Sequence, residues 1–484
     1  MIHPHLVFPA FKLIWIVSAL ITSAAWLCFR SSGRSIAEAG ASALMITHIA
    51  VSIWIQIAVI LGRVWPMVLL SAAMAGVAAT MIWRFRCYWR SIWHGILDVL
   101  RMYSLPSAIA ITAICFRAMW AACGPVDGFS LSSEAEMNTL TPAGIAFLFN
   151  SQTNLWMHTY HSLTGIMAYS AIGLSTYALS RRHAWPPSAL IATMVVLSMP
   201  RLAGPVLSSA NELIPAAAAL FVLLSLYRII ESARIDDLLL LMLGLCCTWS
   251  VHPMGWILPS ILTVLTVLLI HRRHGWSHLA QLAHDNKWLT VSAGWVAVMM
   301  SPVWNRFIGV VGQGSHAIVR YNTDGLSGAA ANLVRYVLQA AHVNPVPHAA
   351  VRPVSLWWQG VLEMIYQNTI HLLGGNFGAM AKFNLSAGAG FGPLSLILVL
   401  PAVGYTLVRG PRRLRAIALA IGWYWFLLAL IPAWQPGNIQ LLTPLMAISA
   451  FSVASFLPPW RFSRTGQIML NLVCLLSLCY SVLM

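Results

Sequence analysis

Long apolar stretches dominate the pattern of hydrophobic and polar positions along this chain. Windows of roughly 19 residues locate about fourteen of them, each long enough to cross ~30 Å of hydrocarbon as an α-helix. A helix satisfies its own backbone hydrogen bonds in lipid. We therefore predict an all-α, polytopic transmembrane bundle of about 12–14 helices, with short interfacial helices in its extracytoplasmic loops. The predicted spans are 10–29, 42–62, 65–83, 104–123, 157–179, 186–204, 209–229, 236–252, 254–271, 288–308, 390–408, 414–432, 439–457 and 466–484.

The composition supports a membrane protein. The chain has 484 residues, of which 59% are hydrophobic and only 8% are charged, and its mean hydropathy is +0.77. A soluble domain carries about 25% charged residues, so most of this chain has lipid as its solvent. The eight cysteines lie mostly inside spans and show no metal-ligand spacing, which indicates small packing residues.

The net charge of +16 is a topology signal, because the basic residues cluster in short loops. With the spans above, every cluster falls on one side of the membrane, which the positive-inside rule assigns to the cytoplasm. Both termini are then outside, and nucleic-acid binding is not expected. The clusters are Arg30 and Arg34, Arg84 to Arg101, Arg181 and Arg182, Arg228 and Arg234, Arg272 to Lys287, Arg409 to Arg415, and Arg461 with Arg464.

The uneven spacing of the spans divides the chain into four predicted segments. Residues 1–95 form N-terminal helices, and 96–308 form a core whose first acidic outer loop is 124–156. Residues 309–389 form an extracytoplasmic segment in which 355–373 is predicted as an amphipathic helix at the membrane interface. Residues 390–484 form the C-terminal helices.

The twelve acidic residues separate into two groups in this topology. The cytoplasmic group lies near arginines and is interpreted as ion-paired loop charges; it comprises Glu38, Asp98, Glu231, Asp236, Asp237 and Asp285. The outward group contains the candidates for chemistry: Asp127, Glu134, Glu136, Glu212, Asp324 and Glu363. Glu212 has a second interpretation, as a carboxylate in the positive first turn of a helix.

Three sequence stretches resemble the GT-C superfamily of integral membrane glycosyltransferases, which includes protein mannosyltransferases and the aminoarabinose transferase of lipid A. The outer loop GPVDGFSLSSEAEMN places Asp127 where the family has an acidic residue. An apolar helix and a polar "SSANE" segment with Glu212 follow, and LMLGLCCTWSVHPMGWILPSI places His252 near a lysine of the family. The chain departs from the family in lacking a second acid directly after Asp127 and in having no lysine at that position.

The resemblance implies transfer of a sugar from a polyprenyl-phosphate donor to a glycan, lipid or protein acceptor on the extracytoplasmic face. Asp127 would be the general base on the acceptor hydroxyl, with Glu134, Glu136 or Glu212 assisting or binding a divalent cation, and the cofactor stays unknown. Positive charge and donors for the donor phosphate would come from the outward set of Arg201, His252, Arg306, Arg320, Tyr321, Arg335 and Arg352. The histidines show no zinc-helix spacing, so no metal site is predicted from them.

Three alternatives stay open from the sequence. A polysaccharide polymerase or ligase also has many helices and a large outer segment rich in Arg and His. A catalytically inactive relative serving as a structural subunit fits the missing family residues. A transporter predicts inverted repeats and charged, broken helices near mid-membrane, which the sequence does not show. The resemblance implies a bacterial inner membrane.

Overall fold

The computed structural model describes residues 34–61, 154–203, 213–250, 256–299, 321–323, 325–342, 352–372, 390–434, 436–457 and 464–483, with a few single positions before residue 98. Within these ranges the chain is helical, as predicted, and extended backbone pairs only at an isolated bridge between Tyr321 and Pro432. Each predicted span that falls in the described ranges coincides with one helix or with consecutive short helices. The predicted spans 10–29, 65–83 and 104–123 lie outside them apart from single positions, as does the outer loop 124–156 up to residue 153; α2 begins inside the predicted loop, at Asn154.

The α-helices are numbered along the chain. They are α1 (Ile36–Leu61), α2 (Asn154–Arg181), α3 (Pro186–Leu197), α4 (Pro200–Ala203), α5 (Leu213–Ser232), α6 (Ile235–Ser250), α7 (Ile257–Asp285), α8 (Lys287–Met299), α9 (Gly325–Ala341), α10 (Arg352–Leu372), α11 (Leu400–Arg409), α12 (Arg412–Leu430), α13 (Leu442–Ala450), α14 (Ser452–Phe456) and α15 (Arg464–Leu483). A π-helical turn, Ser395–Val399, leads into α11, and a 3₁₀ turn, Pro436–Leu441, leads into α13.

Helix α5 forms the centre of the bundle. It is buried nearly all round, and it packs against α2, α6, α7 and α13. A helix enclosed on every side is expected to be apolar on every face. Helix α5 fits this expectation, with a run of four alanines followed by several leucines. Gly244 of α6 allows a close approach, since a Cβ at that position would lie 2.8 Å from Cγ2 of Val222 in α5.

Among the described residues, three helical segments are long and apolar enough to cross a membrane: Leu213–Ser232, Ile257–His278 and Arg412–Leu430. Shorter apolar helices within the described ranges overlap five further predicted spans: 42–62, 186–204, 390–408, 439–457 and 466–484. Ser198 and Pro200 separate α3 from α4 inside the predicted span 186–204, and Gly275, with a positive φ of 74°, bends α7 beyond the predicted span 254–271. The count of 12–14 crossings therefore stays a prediction.

One end of the bundle is closed by a network of seven charged side chains, here called the charged cluster. Its members are Arg34, Glu38, Arg182, Arg228, Glu231, Asp237 and Arg413. They come from the ends of α1, α2, α5, α6 and α12, and from the residues next to those ends. Each carboxylate in the cluster has at least two arginine partners.

Asp237 is the most enclosed carboxylate of the charged cluster, with no exposed side-chain surface. It pairs with Arg34, accepts a hydrogen bond of 3.1 Å from the Ser232 hydroxyl, and lies 3.8 Å from Nε of Arg228. Glu38 pairs with Arg182 and also closes a capping box at the start of α1 with Ser35, which satisfies two backbone N–H groups that the helix leaves open.

The cluster brings together loops that the sequence analysis assigned to one membrane side. Residues at 34, 182, 228 and 413 belong to four different basic loops, and the structure places all four at one end of the bundle. The other end of α12 is about 28 Å away, because its 19 residues rise ~1.5 Å each. That the charged end is cytoplasmic stays a prediction.

Replacement of Asp237 by Asn is expected to destabilise the protein strongly. It leaves the buried guanidinium of Arg34 without its carboxylate, and breaking a buried ion pair from one side costs about 3–5 kcal/mol. The free energy and midpoint of unfolding in detergent measure the effect. Asp285→Asn is the matched control, because the Asp285 side chain is 63% exposed and its loss should change stability by less than about 0.5 kcal/mol. Equal effects of the two changes would show that the cluster does not stabilise the bundle.

Candidate functional site

A row of polar side chains runs along the buried face of α9. Asn332, Arg335, Gln339 and His342 follow one another at spacings of three, four and three residues, which keeps them on one helical face. All four are at most 8% exposed. We call this row the polar stripe. Buried polar groups are costly unless they have partners, so the surroundings of each member indicate what the stripe does.

The first member fixes α9 against the end of α12. The last carbonyls of a helix have no partner within it, and here the side-chain amide of Asn332 donates to the carbonyls of Ala429 and Pro432 at 3.0 and 3.3 Å. The Asn322 amide donates in the same way to the carbonyl of Leu430. The polar stripe therefore begins at the end of α12 that is remote from the charged cluster.

Arg335 is a buried cation whose contacts in the described ranges are all neutral. Its Nε donates to the hydroxyl of Tyr366 at 3.0 Å and its Nη1 to the amide oxygen of Asn332 at 3.3 Å. The guanidinium also lies 5.4 Å from the ring centre of Trp434 and 5.9 Å from that of Tyr366. Within the described part of the chain no carboxylate lies within 4 Å of it, in contrast to the arginines of the charged cluster.

Helix α10 covers the polar stripe. Leu362 and Tyr366 are buried against α9, and the indole of Trp358 donates to the carbonyl of Ala341 at 2.9 Å. The amide nitrogen of Gln359 lies 3.1 Å from Nε2 of His342. The sequence analysis predicted this amphipathic helix at 355–373, and it placed no helix at α9.

His342 ends the stripe in a fully buried position. Its Nδ1 has no hydrogen-bond partner among the described residues. When the Gln359 amide donates to Nε2, the imidazole proton is on Nδ1, where it is directed away from Gln359. Burial lowers the pKa of His342 to about 4, so the ring is neutral near pH 7 and acts as a donor without charge.

Gly390 packs against the backbone at the end of the polar stripe. A Cβ at this position would collide with the backbone carbonyls of Gln339 and His342. The next residues hold the end of α9, since the Phe391 amide and the Ser395 hydroxyl both donate to the carbonyl of Ala340. The close approach of these two backbone segments requires glycine.

Helix α9 buries the polar stripe and exposes leucines, whereas α10 exposes apolar side chains together with polar ones such as Glu363. Leu326 and Leu333 of α9 are exposed, as are Leu356, Trp357 and Met364 of α10. The arrangement of α9 is the reverse of the usual pattern for a helix in water. It is expected of helices that face lipid, where polar groups turn toward protein.

The predicted substrate-binding residues have different positions. Arg335 and Tyr321 lie at the same end of α12: Tyr321 is 64% exposed and pairs with Pro432, whose carbonyl accepts from Asn332. Arg201 is half-buried in α4, and Arg352 is the first residue of α10. The other predicted site residues lie outside the described ranges: Asp127, Glu134, Glu136, Glu212, His252, Arg306 and Arg320.

A second polar group lies in the bundle interior near the start of α5. His48 and Thr164 line a small cavity between α1, α2 and α5, together with apolar side chains that include Ile214. Ile214 follows the candidate carboxylate Glu212 by two positions in the sequence. The sequence analysis did not single out His48, although a polar residue within an apolar span is itself a signal of function.

The polar stripe is chemically suited to an anionic or hydroxyl-rich ligand. It offers a guanidinium, an N–H of a neutral imidazole and aromatic faces, which are the groups that bind phosphate oxygens and stack on sugar rings. Arg335 is among the residues predicted from the sequence, whereas its neighbours Asn332 and Tyr366 and the stripe member Gln339 are not. The 3-4-3 spacing along the helix was the available signal. Comparison of the chain with protein-family models, with curated proteins and with solved structures finds no match.

Replacement of Gly390 by Ala is expected to destabilise the protein by about 1–3 kcal/mol, because overpacking against rigid atoms costs this much. The new methyl group meets backbone carbonyls, which have no rotamer through which to move away. Thermal unfolding in detergent measures the loss. Gly360→Ala in α10 is the control, since a Cβ there meets nothing within 4 Å and is expected to be neutral or slightly stabilising. A Gly390→Ala protein as stable as wild type would contradict the close packing.

The buried His342 predicts a loss of stability in acid. Its pKa is about 4 in the folded protein against an ordinary value of 6.5, so between these pH values the unfolded state binds more protons. Stability therefore falls as the pH is lowered from 6.5 to 4. His342→Gln should give a shallower fall in the unfolding midpoint over this window. Identical pH profiles for both proteins would show that His342 is not buried as a neutral ring.

Proposed function

We propose that this protein is a membrane glycosyltransferase that takes a sugar from a polyprenyl-phosphate donor and binds the donor phosphate at Arg335. The observation that carries the proposal is the buried guanidinium of Arg335 at the end of α12 remote from the charged cluster, whose partners among the described residues are all neutral. A buried cation without a carboxylate is costly, and a phosphate diester supplies the missing negative charge with oxygens that match the guanidinium geometry.

The surroundings of Arg335 suit the rest of such a donor. Trp434 and Tyr366 provide aromatic faces for a sugar ring. The exposed apolar side chains of α9 and α10 suit the polyprenyl chain, because a lipid-linked donor reaches its enzyme from within the bilayer. Asp127 is proposed as the general base that removes the proton of the acceptor hydroxyl while the sugar leaves the donor phosphate.

The resemblance to the GT-C superfamily supports the same reaction. It supplies the extracytoplasmic orientation and the bacterial inner membrane, and the acceptor is a glycan, a lipid or a protein. A polysaccharide polymerase or ligase would also need a cationic site for a polyprenyl-linked phosphate. The two reactions differ in the acceptor, which for a polymerase is a growing glycan chain.

The proposal predicts that Arg335→Met weakens donor binding at least tenfold, roughly the loss of one charge-assisted hydrogen bond. Binding is measured with purified protein and a panel of labelled polyprenyl-phosphate sugars, and transfer is measured in the same samples. Met has similar length and removes a buried charge, so the free energy of unfolding should change by only about 1 kcal/mol. Asp127→Asn should retain donor binding and lose transfer.

Arg409→Met is the control, because Arg409 is an exposed arginine at the end of α11 next to the α11–α12 turn. It should leave donor binding unchanged. If wild-type protein binds none of the donors, the glycosyltransferase proposal is wrong, and the structural subunit becomes the better interpretation. If Arg335→Met unfolds the protein but donor binding survives in Arg335→Lys at full strength, Arg335 has a structural role.

A further inference from the structure

A second cationic site lies beside the charged cluster, where the ends of α2, α5 and α12 come together. His183 follows α2, Tyr227 lies in the last turns of α5, and Arg413 lies in the first turn of α12. The rings of His183 and Tyr227 are 5.1 Å apart and inclined at 60°, and the guanidinium of Arg182 lies 5.9 Å from the Tyr227 ring centre. These groups are separate from the polar stripe at the other end of α12.

Two buried polar atoms in this site have no hydrogen-bond partner among the described residues. They are the hydroxyl oxygen of Tyr227 and Nε2 of His183. Tyr227 is only 2% exposed, so water does not replace the missing partner at its surface. A buried hydroxyl without a partner is destabilising, and a ligand that accepts a hydrogen bond from it would recover that lost stability.

The charges of the cluster do not balance. Its four arginines carry four positive charges and its three carboxylates carry three negative ones, which leaves one positive charge in excess. We assign the excess positive charge to Arg413, because its one ion pair in the described ranges is a 4.0 Å contact with Glu231. Glu231 is already bonded by Arg182, and the Arg413 side chain is 43% exposed, so its guanidinium is accessible.

We propose that His183, Tyr227 and Arg413 form a binding site for a phosphate group, and that the phosphate belongs to the head group of an anionic phospholipid. The Arg413 guanidinium pairs with the anionic oxygens, while the Tyr227 hydroxyl and an N–H of His183 donate to them. Burial, and then the positive charges of Arg182 and Arg413, lower the pKa of His183 to about 4. His183 is therefore a neutral donor until an anion binds.

The position along the helices supports a lipid as the source of the phosphate. Helices α5 and α12 are both long and apolar enough to cross a membrane, and this site lies at the end of one and the start of the other. Head groups of the adjacent leaflet lie at that level, and basic pockets between membrane helices are known to bind them. A free phosphate has the same chemistry and is distinguished by experiment.

The test is a titration of the full-length protein in neutral detergent with phosphatidylglycerol, with phosphatidylcholine and with inorganic phosphate, followed by native mass spectrometry. Saturable binding of phosphatidylglycerol is expected. Arg413→Gln should weaken it at least tenfold and Tyr227→Phe about fivefold, because each removes one donor. Arg412→Gln removes an equal charge from the neighbouring exposed arginine and should weaken binding less than twofold, about the size of a screened surface effect.

Each outcome decides the proposal. Selective loss in Arg413→Gln and Tyr227→Phe supports the head-group site, and displacement of the lipid by inorganic phosphate assigns the same site to a soluble phosphate. Equal loss in Arg412→Gln, or no loss in Tyr227→Phe, overturns it, since binding is then non-specific attraction to a basic surface. Tyr227→Phe changes one atom only, so its result stands if Arg413→Gln fails to fold. The outcome is independent of donor binding at Arg335.

Discussion

Burial of charge at one end of the helical bundle is the constraint on which the rest of this structure depends. Seven charged side chains from five helices meet in the charged cluster, and several of them are almost fully enclosed. In surroundings of low dielectric, a charge left alone costs several kcal/mol, so the helix ends that carry these residues must be at the same level. Arg34 and Asp237 are 203 positions apart in the chain, and their pairing therefore fixes long-range topology.

The arginines near the two ends of α12 have opposite kinds of partners. At the first end, Arg34, Arg182 and Arg228 all face carboxylates, and their charges are used within the protein to hold helices together. At the last end, Arg335 faces an amide, a phenol and an indole, which are neutral partners. The separation of about 28 Å along α12 keeps the two sets of charges from compensating one another.

The helices that surround Arg335 have the surfaces that the proposed lipid-linked substrate requires. Polar side chains of α9 face α10 and α12, while leucines of the same helix face outward. A ligand with a phosphate and a long apolar chain is complementary to both surfaces at once. Arg413 has a different setting, at the start of α12 beside the charged cluster, where a phospholipid head group is the proposed ligand.

The sequence by itself determined the class of protein and the local course of the chain. Apolar stretches of span length in a chain with 8% charged residues permit little other than helices in lipid, because backbone groups there must bond within the segment. Clustering of arginines in short loops likewise indicated which loops share one end, and the charged cluster joins four of them. Both features are local in sequence and repeat many times, so they can be recognised without the tertiary structure.

Only the tertiary structure decided which side chains meet. From the sequence, Arg201, Arg320, Arg335 and Arg352 are equally good candidates for phosphate ligands. Nothing local in the sequence shows that Arg335 is enclosed by Tyr366 and Trp434, which are 31 and 99 positions further along the chain. The same holds for His183 and Tyr227, whose unsatisfied atoms become visible only when α2 and α5 are side by side. Whether a polar atom has a partner depends on contacts between segments distant in the chain, and periodicity carries no information about those contacts.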